Sequence, residues 1–349
     1  MTPPPGAEAQ LVFLTKLQRL FSEGDFTATY KYALLIALAE LAVEQGCDDG
    51  NALLLTIHQI ADKFIELYWQ QTAPYGSGRP NTVPHVLAQN LGERAAVIAA
   101  ISEFRRVNNC RSAQAARSLP EYGALRTSVA RTVSAQPLTY LQNVGGAQDP
   151  FLYERHRGGV VLKPGVGHCL RRFQPLVQQL ARSHWVDHIK GNRRNLSVLG
   201  DADDLEAFLF ETPRGTLILI GESLRKLSGP RCFYCGGHVE EADVDHFIPF
   251  AQYPRDLIHN LVLAHPTCNR SKSDTLAARM HLEHWVEDVD RYDSQLREIA
   301  ASGGVVSDRS TSRSVASWGY GNAVAGGASG WVKPRTYERI DASYLACLG

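Results

Sequence analysis

Apolar residues recur at helical spacing through most of the first 190 positions. Phe13, Leu17, Leu20 and Phe21 mark one face of a helix over about 11–21. The stretch YALLIALAELAV that starts at Tyr32 is apolar nearly all round, which predicts a central buried helix ended by Gly46. Thr56, with Gln59 three residues later, carries a capping-box pattern, and Ile57, Ile60, Ala61, Phe64, Ile65 and Tyr68 continue a helix behind it. Further helices are expected near 92–107 and 121–133. One longer helix is expected over about 167–190, with Cys169, Phe173, Leu176, Val177 and Leu180 on one face. The pattern switches to strands in FLYERHRGGVVLKPG, read as a hairpin turning at Gly158-Gly159. Beyond residue 210, Thr212 fits an N-cap with Pro213 at the first helical position, followed by Leu217, Ile220, Leu224 and Leu227. Residues 275–302 read as one more helix.

Two stretches break the pattern. A Gly/Pro/Asn-rich loop covers about 74–83, and DADDLE (201–206) reads as an acidic loop leading into a short helix. Residues 303–330 hold seven Gly and six Ser, the composition of a linker, although Trp318, Tyr320 and Trp331 point to a tail that docks back. The expected organisation is a disordered lead at 1–10, a helical domain at 11–195, a linker at 196–211, a second domain at 212–285, and a helix with a partly flexible tail at 286–349.

Composition adds little to this. The chain has 349 residues, 44% hydrophobic and 21% charged, as expected of a globular protein with a sizeable core. Formal net charge is zero, so any nucleic-acid surface must come from local patches. Such patches exist. From Tyr153 to Arg194 nine Lys/Arg stand against Glu154 and Asp187, and from Phe104 to Arg131 six Arg stand against Glu121. A solvated helix face is the ordinary explanation, and a phosphate-facing surface is the alternative, with Arg171 and Arg172 as candidate contacts. The start, MTPPPGAEAQ, lacks the basic and apolar regions of a secretory signal, and the longest apolar run is shorter than a membrane span. Seven cysteines, an odd number in a long chain, argue for a reducing compartment and a metal site over a disulfide framework. A cytoplasmic protein without membrane association is therefore expected.

Three of those cysteines lie close together. Cys232-x2-Cys235 and His265-x2-Cys268 have the spacing of two zinc knuckles. A tetrahedral Cys3His site has no open position, so this zinc is read as structural. His238 competes with His265 for the fourth position, and His265 is preferred because it pairs with Cys268 as Cys232 pairs with Cys235. Zinc leaves Asp245-His246, Asn260 and Asn269 unexplained.

The segment that holds them resembles the HNH endonucleases of the four-ligand zinc-knuckle kind. The matching residues are CFYC, VDHFIP and NLVLAHPTCNRSK, and they cover about 231–274. The resemblance implies a ββα-metal, treble-clef-like nuclease domain, so the whole chain is expected to be α+β, a mostly helical domain followed by the nuclease domain. Phosphodiester hydrolysis needs a base, and His246 is the candidate because its ordinary pKa lies near working pH. A divalent cation, Mg²⁺ or Mn²⁺, would be held by Asp245 and Asn269. Asn260 would pin the loop and orient His246, and Arg270 and Lys272 would hold flanking phosphates. The resemblance further implies products with 5′-phosphate and 3′-hydroxyl ends. Two departures stand out. Asn269 replaces the last His of the family name, giving an H-N-N version, and FAQYPRDLIH replaces the Gly-rich loop common after the Pro.

Rival patterns are weaker. The helices around 30–45 and 57–69 resemble a helix-turn-helix only with an overlong connection, so core packing is preferred. HWVDH (184–188) spaces two His like a zinc-protease helix but has Trp185 where that motif needs Glu. The expected function is metal-dependent cleavage of double-stranded DNA, in restriction or phage defence or in a mobile element, with a homodimer or a defence-system protein as partner. The alternative is a zinc-stabilised nucleic-acid-binding module that does not cut. A secreted nuclease toxin is disfavoured by the absence of an export signal.

Overall fold

The computed structural model describes residues 2–76, 83–92, 94–199 and 204–349. The centre of the Gly/Pro/Asn-rich loop and residues Asp201 to Asp203 of the acidic stretch lie outside the described residues. The fold is α+β. The chain forms two compact units, Met1–Phe210 and Glu211–Gly349.

The first unit is built on the helix Tyr30–Gln45, which is buried along almost its whole length. Its apolar residues point in every direction because other helices surround it, chiefly Gln174–Gly191, Val166–Arg172 and Ile57–Trp69. Ile57–Trp69 starts at Thr56 with both bonds of the capping box in place. The connection between these two helices contains the strand Leu53–Thr56, which joins the hairpin Tyr153–His156 and Gly159–Leu162 as a third, antiparallel strand. Both helices are embedded in the core, as the packing alternative to a helix-turn-helix requires. The hairpin turns at Arg157-Gly158, one residue earlier than expected, with Gly158 at a φ of 82°.

Several elements of this unit depart from the sequence reading. The lead expected to be disordered is tied down from Thr2 on, whose carbonyl accepts from the Gly50 N–H, and the first helix runs Ala7–Glu23. The single helix expected over 167–190 is two, broken at Phe173. Pro175 has no N–H to donate and favours the start of a helix, so the second begins at Gln174 and leaves Leu176 exposed. Residues 196–211 are no extended linker. They supply the helices Leu196–Leu199 and Leu205–Phe210, which bury Val198, Leu199, Leu205 and Leu209 in the core of this unit.

The second unit centres on the antiparallel pair Asp243–His246 and Leu261–Ala264, in which Asp245 faces Val262 and His246 faces Leu261. The helix Pro266–Lys272 follows directly, completing ββα. Helix Arg214–Ser228 lies alongside, burying Ile220 and Leu224 with Ile258, Leu261 and Leu296. Its N-cap is Pro213, one residue later than expected. The expected helix over 275–302 breaks at Tyr292 into Arg279–Arg291 and Asp293–Gly303.

The Gly/Ser-rich stretch, expected as a partly flexible tail, forms the helix Arg309–Gly326. The Asp308 carboxylate caps its start by accepting from the Thr311 N–H, and Trp318 and Tyr320 are buried along it. A hairpin follows, Ser329–Lys333 with Thr336–Arg339. Trp331 exchanges backbone bonds with Leu276 and Ala278 and sends its indole N–H to Ser271, while the Tyr320 hydroxyl donates to the Ala277 carbonyl. The tail is therefore part of this unit's core. No helix among the described residues is long and apolar enough to cross a membrane.

Candidate active site

The cysteine cluster is assembled from two local turns. CFYCGG curls back on itself: the Gly236 N–H donates to the Cys232 carbonyl and the Cys232 N–H to the Gly237 carbonyl. Gly236 adopts a φ of 69°, which favours glycine. The second turn is the start of helix Pro266–Lys272, where His265 is the N-cap. The ligand atoms of Cys232, Cys235, His265 and Cys268 all lie within 4.8 Å of one another. This is the only such cluster of three or more metal-binding side chains among the described residues. All three thiols are free of disulfides. Three soft sulfurs and one imidazole at this separation fit zinc.

The competition between the two histidines is settled by geometry. His265 Nδ1 sits 3.2 Å from the Cys235 sulfur, while its Nε2 lies 2.9 Å from the backbone carbonyl of His238. His238 thus contributes a carbonyl that orients the imidazole. Burial, then the neighbouring thiols of Cys232 and Cys235, pushes the Cys268 thiol up to about 12. A bound zinc ion reverses that preference by stabilising thiolates.

Beside the cluster, the first strand and the helix are fastened by two side-chain rungs. Asn269 donates its amide N–H to the Asp243 carboxylate at 3.0 Å. Lys272, one turn on, places its ammonium 3.1 Å from the Asp245 carboxylate. Tyr234 donates its hydroxyl to the same Asp245 oxygen, Oδ2, at 2.6 Å, so Oδ1 is the less engaged atom. Burial, then the Asp245 charge, holds the Tyr234 hydroxyl well above its ordinary pKa, so it remains a donor. Because Asp243 claims the Asn269 amide nitrogen, the Asn269 oxygen is left without a hydrogen-bond partner among the described residues. Both oxygens, like those of the Asp243 carboxylate, are hard ligand atoms. An open groove of about 440 Å³ runs past Asp243 and Asn269 and is edged by Arg214 and Arg225.

His246 ends the strand. Its Nε2 is 2.6 Å from Asp256 Oδ1, and its ring lies 5.1 Å from that of Phe250. Asn260 accepts from the Ile248 N–H at 2.7 Å and donates to the Ile248 carbonyl at 2.9 Å, closing the loop immediately after His246. Asn260 is buried, and its backbone carbonyl takes the Phe247 N–H.

Two expected phosphate contacts are placed differently. Lys272 is 1% exposed and held by Asp245 and the His246 carbonyl, so its charge is spent inside the unit. Arg171 is buried in the first unit. Its guanidinium binds Asp48 and the carbonyls of Ala42 and Val43, closing the C-terminal end of helix Tyr30–Gln45. Arg182, another member of the basic run, is also buried and packs over Phe210. The helices of 166–191 thus do not present one continuous basic face. Arg270 and Arg172 are exposed. His184 and His188 pack with Phe21 and Tyr32.

Sequence reasoning missed Asp256, Asp243 and Tyr234. One signal was present: Asp256 is the only acid between His246 and Asn260.

Comparisons with known proteins agree with this geometry. Residues 232–275 match the model of the HNH endonuclease family, and residues 12–205 match a family described as a domain of unknown function, DUF8808. No curated protein and no solved structure matches the chain. The second match spans more than half of the sequence, so the chain belongs to the DUF8808 family and carries an HNH endonuclease domain in its C-terminal unit.

Proposed function

We propose that the protein is a metal-dependent DNA endonuclease in which His246 is the general base. The observation that carries this reading is the pair of rungs that fastens strand to helix, Asp243–Asn269 and Asp245–Lys272, beside a Cys3His cluster. Asp243, Asp245 and Asn269 supply hard oxygens from this strand and helix, and His246 ends the same strand. His246 would take the proton of the attacking water, and Asn260 would fix the loop on which that histidine depends. A cation at Asp245 and Asn269, Mg²⁺ or Mn²⁺, would stabilise the negative charge that develops on the phosphate and the leaving oxygen. Arg270, exposed on the same helix, is the basic residue placed to hold a flanking phosphate. A zinc ion at Cys232, Cys235, His265 and Cys268 would hold the two turns together.

We place this activity in restriction or phage defence, with the helical unit available for target or partner recognition. One site of this kind acts on one strand, so a double-strand break calls for a second copy of the chain or a second visit. The rival reading is a nucleic-acid-binding module that does not cut. The observation in its favour is the Lys272 ammonium, which already neutralises Asp245. Supercoiled plasmid DNA, incubated with Mg²⁺ or Mn²⁺ and with EDTA, separates the two. Metal-dependent nicking or linearisation that is lost in His246→Ala supports the nuclease. Gel-shifted but uncut DNA with every metal favours the binder.

A further inference from the structure

We infer that Asp256 is a positioning residue for His246: its buried carboxylate fixes the imidazole as the Nε2–H tautomer and leaves Nδ1 as the basic nitrogen. The inference rests on the reading of His246 as general base. It adds a residue from the loop in which this sequence departs from the HNH pattern.

Asp256 has a side chain 8% exposed and an oxygen 2.6 Å from His246 Nε2. Burial alone would favour its neutral form. The hydrogen bond from His246 and the charge beside it outweigh burial and hold the carboxyl below its usual range. An ionised carboxylate only accepts, so the proton of a neutral ring must sit on Nε2. Nδ1 then keeps its lone pair, and it makes no hydrogen bond among the described residues.

The loop has little freedom to move the acid away. Tyr253, Leu257 and Ile258 are fully buried around Asp256, and the Ile258 N–H is tied to the Val306 carbonyl. Phe250 limits the ring on another side.

Asp256→Asn gives a sharp test because it is isosteric. Asparagine can donate as well as accept, so the ring is no longer held as Nε2–H and Nδ1–H becomes populated. The experiment uses the full zinc-loaded chain with ¹⁵N-labelled histidine. Long-range ¹⁵N–¹H correlation spectra of the His246 ring are read beside plasmid cleavage. The expected result is Nε2–H in the wild type and a populated Nδ1–H in Asp256→Asn. The kcat should fall by about 10²–10⁴-fold with KM for DNA nearly unchanged, as for a wrong-tautomer base. Asp256→Ala, with zinc content and melting checked, should give a mixture of tautomers. An unchanged Nε2–H tautomer in both variants overturns the inference, and so does an unchanged kcat. If the wild type cuts no DNA, the general-base reading fails, and the spectra alone then decide whether Asp256 sets the tautomer.

Discussion

Lys272 and Asp245 form a buried ion pair between the helix and the strand, at 3.1 Å, and the same ammonium donates to the His246 carbonyl at 2.8 Å. A lysine next to a zinc cysteine and behind an exposed arginine looks like a phosphate ligand in sequence, yet this one is an internal strut. Lys272→Ala leaves a buried carboxylate without its counter-charge, so the C-terminal unit should lose about 3–5 kcal/mol. Arg270→Ala should barely change stability. In salt titrations of DNA binding, Arg270→Ala should lower the slope by about one, as loss of one phosphate contact does. A comparable slope change in a folded Lys272→Met variant would place Lys272 at the nucleic acid after all.

Arg171 and Arg172 are adjacent, and the structure separates them. Arg171 satisfies two carbonyls at a helix end and pairs with Asp48. Arg171→Ala should cost the N-terminal unit about 2–4 kcal/mol, through the lost charged hydrogen bonds to Asp48 and a bare Val43 carbonyl. Arg172→Ala should stay within about 0.5 kcal/mol of the parent, as exposed changes do. Denaturant melts followed by the Trp185 and Trp69 signals measure both. Equal losses for the two would remove Arg171 from the helix end.

The same pair sets a direction in acid. Burial raises the Asp48 carboxyl, but the hydrogen bond and charge of Arg171, with smaller help from His168 and Arg172, outweigh it and hold it below its ordinary value. A lowered folded pKa means that the unfolded chain takes up the proton first. The stabilisation is therefore complete above the unfolded value of about 3.9 and is lost as pH falls through the lower folded value. Asp48→Asn should flatten stability against pH in that window, below about pH 4. A slope equal to that of the parent would show that the pair does not form in solution.

Zinc removal should act on the hairpin. The Cys232 turn and the His265 cap meet only at the four ligand atoms and a few backbone bonds, among them the Phe233 N–H to the Leu263 carbonyl. Cys235→Ala, or a strong chelator, should release one zinc per chain and raise amide exchange across 232–264. His238→Ala should retain zinc, since His238 serves through its carbonyl. Metal loss in His238→Ala but not in His265→Ala would exchange the two roles.

Legibility in the sequence followed distance along the chain. The Thr56–Gln59 box and the two knuckles are complete within a few residues each, so spacing revealed them. Burial on every side of 30–45 was equally plain, because no polar face interrupts the run. Arg171, Arg182 and Lys272 were opaque, since a basic residue shows its partner only once distant acids and carbonyls arrive. Asp256 turns back to His246, ten residues before it, only through the path of the folded loop. The helix Arg309–Gly326 was hidden by composition. Its small residues read as a linker, but Val315, Trp318 and Tyr320 are buried along it.

That last helix, with the hairpin behind it, changes how portable the cutting module is. Trp331 rests against Tyr234, and Tyr234 in turn grips Asp245. The residues that a motif search recognises end at 275, more than fifty positions before that tryptophan. Grafted at its motif boundaries, the nuclease would leave behind the back wall of its own acid. For transplantation, fusion or domain shuffling, the smallest piece worth moving is the whole stretch from 211 to the C-terminus.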